Sequence, residues 1–384
     1  MIVLADTIYL DNAATTFPKS ENVYRAMDEA NRQYAINAGR GSYRLARKAN
    51  EVIDDTKKRL LTLVKAPVSA KVVFTPSITI ALNEILQGIT WKKGDVVYVS
   101  PYEHNAVART LNKISQEYQI EIKLMPLTEE YEINLELLND LFVTDRPKCV
   151  CCTGVSNVTG YILPTKEIFM VAKAIGAITV LDSAQSLGLI EQSMENIDFL
   201  AFAGHKTLYG PLGIGGFIDN SEIKLKQVIV GGTGSNSLVL SMPEDSPNRY
   251  ESSSPNIVAI AGLNAALREL NVNENFQSEY GITQYATEKL LEIPNIKLYK
   301  SGLLDSYIGI ISFNVRNAGL SAEDIGNILD EEFGIAVRTG YHCAPYIHKL
   351  IGDMEYNGTV RVGLGKYNTK EDIDALCDAL ENVV

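Results

Sequence analysis

Along residues 71–218 short apolar runs alternate with longer stretches whose apolar positions recur every three or four residues. The runs are KVVFT (71–75), DVVYVS (95–100), IEIKLMP (120–126), KCVCC (148–152), AITVLD (177–182), FLAFA (199–203) and IGGFI (214–218). Their length and their β-branched and aromatic content predict strands. Between them TIALNEILQGI, HNAVARTLNKISQEY, NLELLNDLF and TKEIFMVAKAIG carry the helical period. The runs are apolar at nearly every position, as strands covered on both faces are. Such alternation predicts an α/β fold, a mostly parallel sheet flanked by helices.

The rhythm changes after about residue 255. NIVAIAGLNAALRELN predicts a long helix, and beyond it lies an α+β region with strands near YIGIISFNV and TVRVGL. The stretch SNSLVLSMPEDSPNRYESSSPN (235–256), rich in Ser, Pro and Asn, marks a domain boundary or a long functional loop. A chain of 384 residues is long for one domain, so a large domain followed by a smaller α+β domain is expected.

Composition narrows the function. With 46% apolar and 21% charged residues the chain is an ordinary globular protein, and no apolar run is long enough to span a bilayer. The opening MIVLADTIYLDNAATT lacks a basic region and a long apolar core, so it does not read as a secretory signal. A net charge of −12 argues against a nucleic-acid or anionic-membrane partner. The five cysteines, an odd number, favour a reducing, cytoplasmic setting over a disulfide framework.

One lysine stands out. In AFAGHKTLYGPLGIGG (201–216) Lys206 sits where a buried strand gives way to a glycine-rich turn. Burial lowers a lysine's pKa and frees its amine to form a Schiff base with a carbonyl. If that carbonyl belonged to pyridoxal phosphate (PLP), the site would also need a carboxylate for the ring nitrogen, a phosphate cradle and a stacking group. Asp182 ends the strand AITVLD at the edge where open α/β sheets bind ligands, although Asp before Ser-Ala also reads as a helix N-cap. In FTPSITIALNEIL a strand yields to a helix near Ser77 to Thr79. The free N–H of Ile78 and the Thr79 hydroxyl there suit an anion, with His205 as a further donor. The same Ser/Thr pattern would serve as a plain cap. His104, in SPYEHNAVARTL, follows a strand on the same edge and is the candidate for stacking, although a lone histidine is often structural.

Taken together, YLDNAATT, FTxxxTxALN, EHNA, SNVTG, LDSAQS, AGHKTLYGP and RTGYHCAP resemble the class V aminotransferase-fold PLP enzymes, and among them the cysteine desulfurases with a short cysteine loop. The motifs run in the family's order from Tyr9 to about Arg361. The resemblance implies fold type I, with a PLP-binding domain over 18–255 and a small domain from 1–17 plus 256–384. It implies that Lys206 binds the cofactor and shuttles protons, that Asp182 holds the ring nitrogen, and that Gln185 lies at the ring hydroxyl. His104 would stack on the ring, and Thr79, Ile78 and His205 would bind the phosphate. Asn157 would sit near the ring hydroxyl and the substrate carboxylate, which Arg361 would clamp with Arg338 close by. The family is homodimeric, so Thr233 in GGTGS (231–235) would reach the partner's phosphate.

The residue that selects the reaction is Cys343. Most free cysteines are small buried apolar residues, the reading given to Cys149, Cys151, Cys152 and Cys377. Cys343 lies instead between His342 and Ala344 in RTGYHCAP, with Arg338 near, and positive neighbours favour the nucleophilic thiolate. The resemblance implies that it attacks the sulfur of L-cysteine, leaving alanine and a persulfide for an acceptor protein. A selenocysteine or C–S lyase, an aminotransferase that dispenses with Cys343, and a non-catalytic PLP-binding protein are the alternatives. The chain departs from the family at Ser77, Ile80, Ala203 and Ser253, which implies weaker cofactor retention through a missing phosphate hydrogen bond at Ala203.

Overall fold

A computed structural model describes residues 7–38, 43–234, 238–300, 304–316 and 319–383. In chain order the elements begin with β1 (Ile8–Tyr9), α1 (Glu21–Gln33), α2 (Arg44–Leu63), β2 (Lys71–Thr75), α3 (Ile78–Gly88), β3 (Val96–Val99), α4 (Asn105–Tyr118) and β4 (Glu121–Leu124). There follow α5 (Leu135–Asp145), β5 (Cys149–Thr153), α6 (Thr165–Ala174), β6 (Ile178–Asp182), β7 (Phe199–Ala203) and β8 (Gly215–Asp219). After a long connection come α7 (Ile257–Glu269), α8 (Val272–Glu292), β9 (Ile296–Leu298), β10 (Ile310–Val315), α9 (Ala322–Phe333), β11 (Ile335–Ala336), β12 (Arg338–Gly340), α10 (His348–Ile351), β13 (Thr359–Gly363) and α11 (Lys370–Val383).

The strands read from the sequence agree with β2 to β8 to within one or two residues. They form one seven-stranded sheet in the order β2-β8-β7-β6-β5-β3-β4, parallel throughout except for β8, which runs against both neighbours. Successive residues of each strand enter different cores. Val150 and Cys152 pack on one face, and Cys149 and Cys151 on the other, and all four are fully buried. In β5 to β8 neither face meets water and every position is buried, whereas the edge strand β4 keeps Glu121 and Leu124 exposed.

A four-stranded antiparallel sheet, β12-β13-β10-β9, and the parallel pair β1-β11 build the second unit. Helices α8, α9 and α11 cover it through Leu290, Leu329 and Leu376 around Phe313 and Val362. The N-terminal strand therefore belongs to this sheet system, with Ile8 paired to Ile335 and Asp11 bridged to Gly363. Helix α7 packs against α1 and α2 through Ile257 and Ala261, so it adheres to the large sheet's layer although it follows residue 255. No described helix is long and apolar enough to cross a membrane.

Candidate active site

Strands β2, β3, β5, β6 and β7 point the same way, so Thr75, Val99, Thr153, Asp182 and Ala203 end on one edge of the sheet. Across that edge Thr153, Asp182 and Ala201 lie in register, as do Thr75, Gly215 and Ala203. This is the carboxyl edge at which open α/β sheets bind ligands.

Lys206 follows β7 through a turn that glycine makes possible. Gly204 donates to the Ile214 carbonyl at 3.0 Å and accepts from Gly210 at 2.7 Å. A Cβ on Gly204 would meet Ile214 Cγ2 at 2.7 Å, so no larger residue fits this close approach. The turn leaves Lys206 part-buried just beyond the carboxyl end of β7. Burial lowers its pKa to about 8, with Arg361 and Arg338 acting in the same direction and Asp182 and Cys343 opposing. A tenth or so of the amine is then unprotonated at neutral pH, against far less for a solvated lysine.

Asp182 is buried, and burial raises its pKa, against the pull of the Ala184 N–H, which donates to Oδ1 at 2.9 Å, and of Lys206. It makes no ion pair among the described residues. A buried carboxylate is costly without a cation, and a protonated pyridine nitrogen is a cation of the right kind. Beside it Glu103 is fully buried, accepting from the Ser100 hydroxyl and, at 2.7 Å, from the Thr153 N–H. Burial and then the Asp182 charge raise its pKa to about 8, so Glu103 keeps its proton at neutral pH. His104 caps α4, its Nδ1 accepting from the Ala106 N–H at 3.0 Å, which places the ring proton on Nε2. Burial and then Lys206 lower its pKa to about 4, leaving a neutral ring.

The start of α3 forms the candidate phosphate cradle. Ser77 caps the helix by accepting from the Ile80 N–H at 3.4 Å, and Thr79 is exposed in the first turn. Gly215 lets β8 approach: a Cβ there would sit 2.7 Å from the Ile78 nitrogen. His205 holds a buried Nδ1 without a partner, and burial lowers its pKa to about 4. The segment carrying Thr233 runs beside 252–253, where the Ser253 N–H donates to the Gly232 carbonyl at 2.8 Å. Ser235, the last residue of GGTGS, lies outside the described residues.

On the substrate side Arg361 is buried on β13. It donates to Asp11 at 2.7 Å and to the Asn157 carbonyl at 2.9 Å, and its Nε has no partner. Asn157 donates through Nδ2 to the His342 carbonyl at 2.7 Å and leaves a buried Oδ1 unpaired, while Gln185 donates to the Ala13 carbonyl at 2.8 Å. Arg338 lies directly across from Arg361, and its guanidinium reaches Cys343 Sγ at 3.6 Å. His342 and Cys343 take left-handed conformations, φ 44° and 59°, a turn pinned where the Asn105 N–H at the start of α4 donates to the Cys343 carbonyl at 2.6 Å. Cys343 is partly exposed, whereas the other four cysteines are buried. Of the two neighbours expected to activate it, Arg338 touches the sulfur. His342 does not: its Nε2 is taken by Thr359, and burial holds it neutral.

Three residues of this crevice had no role in the sequence reading. Asp11 and Asn12 lay inside the quoted YLDNAATT, and Glu103 inside EHNA. An aspartate that anchors an arginine 350 positions away, and a glutamate in the turn between β3 and α4, carry no local pattern that would reveal those contacts.

Fold and crevice define the class: the fold is that of the fold type I, aminotransferase-like enzymes. The chain belongs to the aminotransferase class-V family, whose model matches residues 8–376. It is 32% identical over 394 residues to a probable cysteine desulfurase of Methanothermobacter thermautotrophicus, covering 99% of this chain and 96% of that protein. It is 30% identical to the cysteine desulfurase of Pectobacterium atrosepticum, covering 98% and 92%. The apo cysteine desulfurase of Thermococcus onnurineus superposes with a TM-score of 0.89 at 30% identity, over 98% of this chain and 94% of that one. The Escherichia coli cysteine desulfurase CsdA gives 0.83 at 27% identity, with the same two coverages.

The family's cofactor is PLP, and the residues present suit it. Asp182 makes no ion pair among the described residues, His205 Nδ1 and Asn157 Oδ1 lack partners, and burial lowers the Lys206 pKa to about 8.

Proposed function

We propose that this protein is a PLP-dependent cysteine desulfurase that converts L-cysteine to L-alanine and leaves the sulfur as a persulfide on Cys343. The observation that supports the reading most is the placement of Cys343 Sγ 3.6 Å from the Arg338 guanidinium and within electrostatic reach of Lys206.

PLP would be held by Lys206, Asp182, Gln185 and His104 at its ring and by Ile78, Thr79 and His205 at its phosphate, and it supplies the electron sink for breaking bonds at the substrate Cα. The chain's own residues do the rest. Arg361, already fixed by Asp11, presents its guanidinium to the substrate carboxylate, with Asn157 and Arg338 beside it. The neutral Lys206 amine takes the Cα proton and later returns a proton. Arg338 favours the Cys343 thiolate, which bonds to the substrate sulfur as the carbon–sulfur bond breaks. Protonation of the carbon completes alanine.

The reading includes a homodimer in which Thr233 serves the partner's phosphate site, an acceptor protein for the persulfide, and a cytoplasmic location. It also includes the division into a cofactor domain, 18–255, and a cysteine-loop domain, 1–17 plus 256–384, with α7 joining the two. To test it, the PLP-loaded protein is mixed with L-cysteine without reductant, and intact mass and amino-acid product are read together. Alanine with one sulfur atom added at Cys343 is expected. Pyruvate or unchanged cysteine, with no adduct, overturns it.

A further inference from the structure

Cys343 has a second side. It lines an open cleft of about 450 Å³, in whose lining Lys206 takes no part, together with Arg109, Tyr341, His348, Lys349 and Met354. Arg109 stands one turn after Asn105 on α4, the residue whose N–H pins the Cys343 carbonyl, so the cleft is rigidly tied to the cysteine. Two of the lining residues are cationic, and no carboxylate lines the cleft among the described residues.

Beneath the cleft lies a buried acid–base pair. His348, 2% exposed, bonds through Nδ1 to Asp353, which is 0% exposed. The carboxylate fixes the ring so that Nε2 is the nitrogen left over, and this Nε2 is buried without a partner. The Tyr341 ring meets the His348 ring edge-on at 5.2 Å, and the His342 ring lies at 5.9 Å. The titratable and charged groups around His348 are thus Asp353, His342 and Tyr341, with Arg109 and Lys349 lining the same cleft. The reaction at Lys206 uses none of this pair.

We infer that the His348–Asp353 pair is the base of the sulfur transfer that empties Cys343, and that the cleft receives a negatively charged thiol. The inference rests on the desulfurase reading, which requires an acceptor for the persulfide. His348 Nε2 takes the acceptor's S–H proton, and the acceptor sulfur bonds to the outer sulfur of the Cys343 persulfide. The bond between that sulfur and Sγ breaks, with its electron pair remaining on Sγ beside Arg338. The proton held by His348 passes to Sγ, and the acceptor leaves as a persulfide. One sulfur atom moves between two thiols, so no oxidant or reductant is consumed. Lys206 serves the first half of the cycle, and His348 the second.

The test separates the halves. Polysulfide treatment of the holoenzyme loads Cys343, the one cysteine that is not buried. Transfer to 2-mercaptoethanesulfonate is then timed by intact mass from about pH 6 to about 9. His348→Asn is expected to slow transfer about 100-fold at neutral pH. The deficit should close as pH approaches the acceptor's own pKa, because an ionised thiol needs no base. Asp353→Asn should fall between this variant and wild type, and both variants should keep single-turnover alanine formation from L-cysteine. Wild type should prefer the sulfonate thiol to cysteamine, and Lys349→Gln should narrow that preference. Unchanged transfer in both variants, or a loss equal at every pH, overturns the role of the pair; equal rates with the two thiols overturn the charge of the acceptor. Should L-cysteine yield no alanine while polysulfide-loaded Cys343 still transfers through His348, the desulfurase reading fails and this one stands.

Discussion

Arg361 and Arg338 face each other across neighbouring strands β13 and β12, and each guanidinium is committed to a different partner. Arg361 is spent on Asp11 and the Asn157 carbonyl, while Arg338 turns to Cys343 Sγ. Two like charges in register repel unless an anion lies between them. On the proposed reading, a substrate carboxylate at the unpaired Arg361 Nε would supply that anion and draw the amino acid toward the sulfur.

Arg361→Lys keeps the charge but loses the planar fork that grips Asp11 and Asn157. The expected result is a fall in kcat/KM for L-cysteine of about 100-fold, roughly 3 kcal/mol, carried mainly by KM. Steady-state alanine production checks it. A loss confined to kcat would place the carboxylate elsewhere.

Arg338 is expected to govern the sulfur's reactivity. Arg338→Gln removes the one cation in contact with Sγ and should slow iodoacetamide alkylation of Cys343 at neutral pH by about 10-fold, while the PLP absorbance stays unchanged. Replacing His342 by Asn should leave alkylation nearly unaltered, since its ring is bound to Thr359. A reversed order of the two variants would show that His342 moves to the sulfur in solution.

The strands around Asp182 and Lys206 were legible because burial on both faces forces unbroken apolar runs, and glycine turns betray themselves by composition. The helices α1 and α2 were not read. Over its twenty residues α2 buries only Ala46, Ala49, Thr56 and Leu60, and three of these four are small or polar, so no strong stripe emerges. Motif order placed Lys206, Asp182 and His104 on one edge. It could not place Thr233, whose neighbour Gly232 accepts from the Ser253 N–H, nor show that the buried Glu103 lies within electrostatic reach of Asp182.

The amine of Lys206 gives a pH dependence of fixed sign. Its pKa is lowered to about 8, and only the neutral form condenses with an aldehyde. PLP capture by cofactor-free protein should therefore accelerate about tenfold per pH unit below that value and level off above it. Stopped-flow absorbance measures this directly. A rate still climbing at pH 10 would mean that the amine is solvated.

Glu103 gives a pH dependence of stability. Its folded pKa is raised to about 8 from the ordinary 4.5, so between these values the folded state binds a proton that the unfolded chain has lost. Stability from this group is complete below about pH 4.5 and drains away as pH rises through 8. Glu279, raised to about 8 by burial, acts in the same direction. Glu103→Gln should reduce the fall in stability between about pH 5 and about pH 8 by on the order of 3 kcal/mol, read as a smaller drop in Tm over that range. A fall equal to that of wild type would mean that Glu103 is ionised in the fold.

The last prediction concerns Ala203, the residue in register with Gly215 and Thr75 beside the start of α3. The family resemblance implies a hydroxyl there, and this chain has a methyl group that is almost wholly buried. Ser77 Oγ accepts from the Ile80 N–H to cap α3 and lies at the helix start rather than on β7, so it does not stand where the Ala203 methyl does. The cradle thus rests on the helix N–H groups, Thr79 and His205, and burial keeps His205 neutral, so it adds no charge. One hydrogen bond to a charged phosphate is worth about 1.5–3 kcal/mol. Ala203→Ser should therefore tighten PLP binding by at least about 10-fold, read as slower loss of the cofactor absorbance on dialysis, with kcat for L-cysteine little changed. If the serine variant loses PLP as fast as wild type, the helix N-terminus alone is sufficient, and the absent hydroxyl has no bearing on retention.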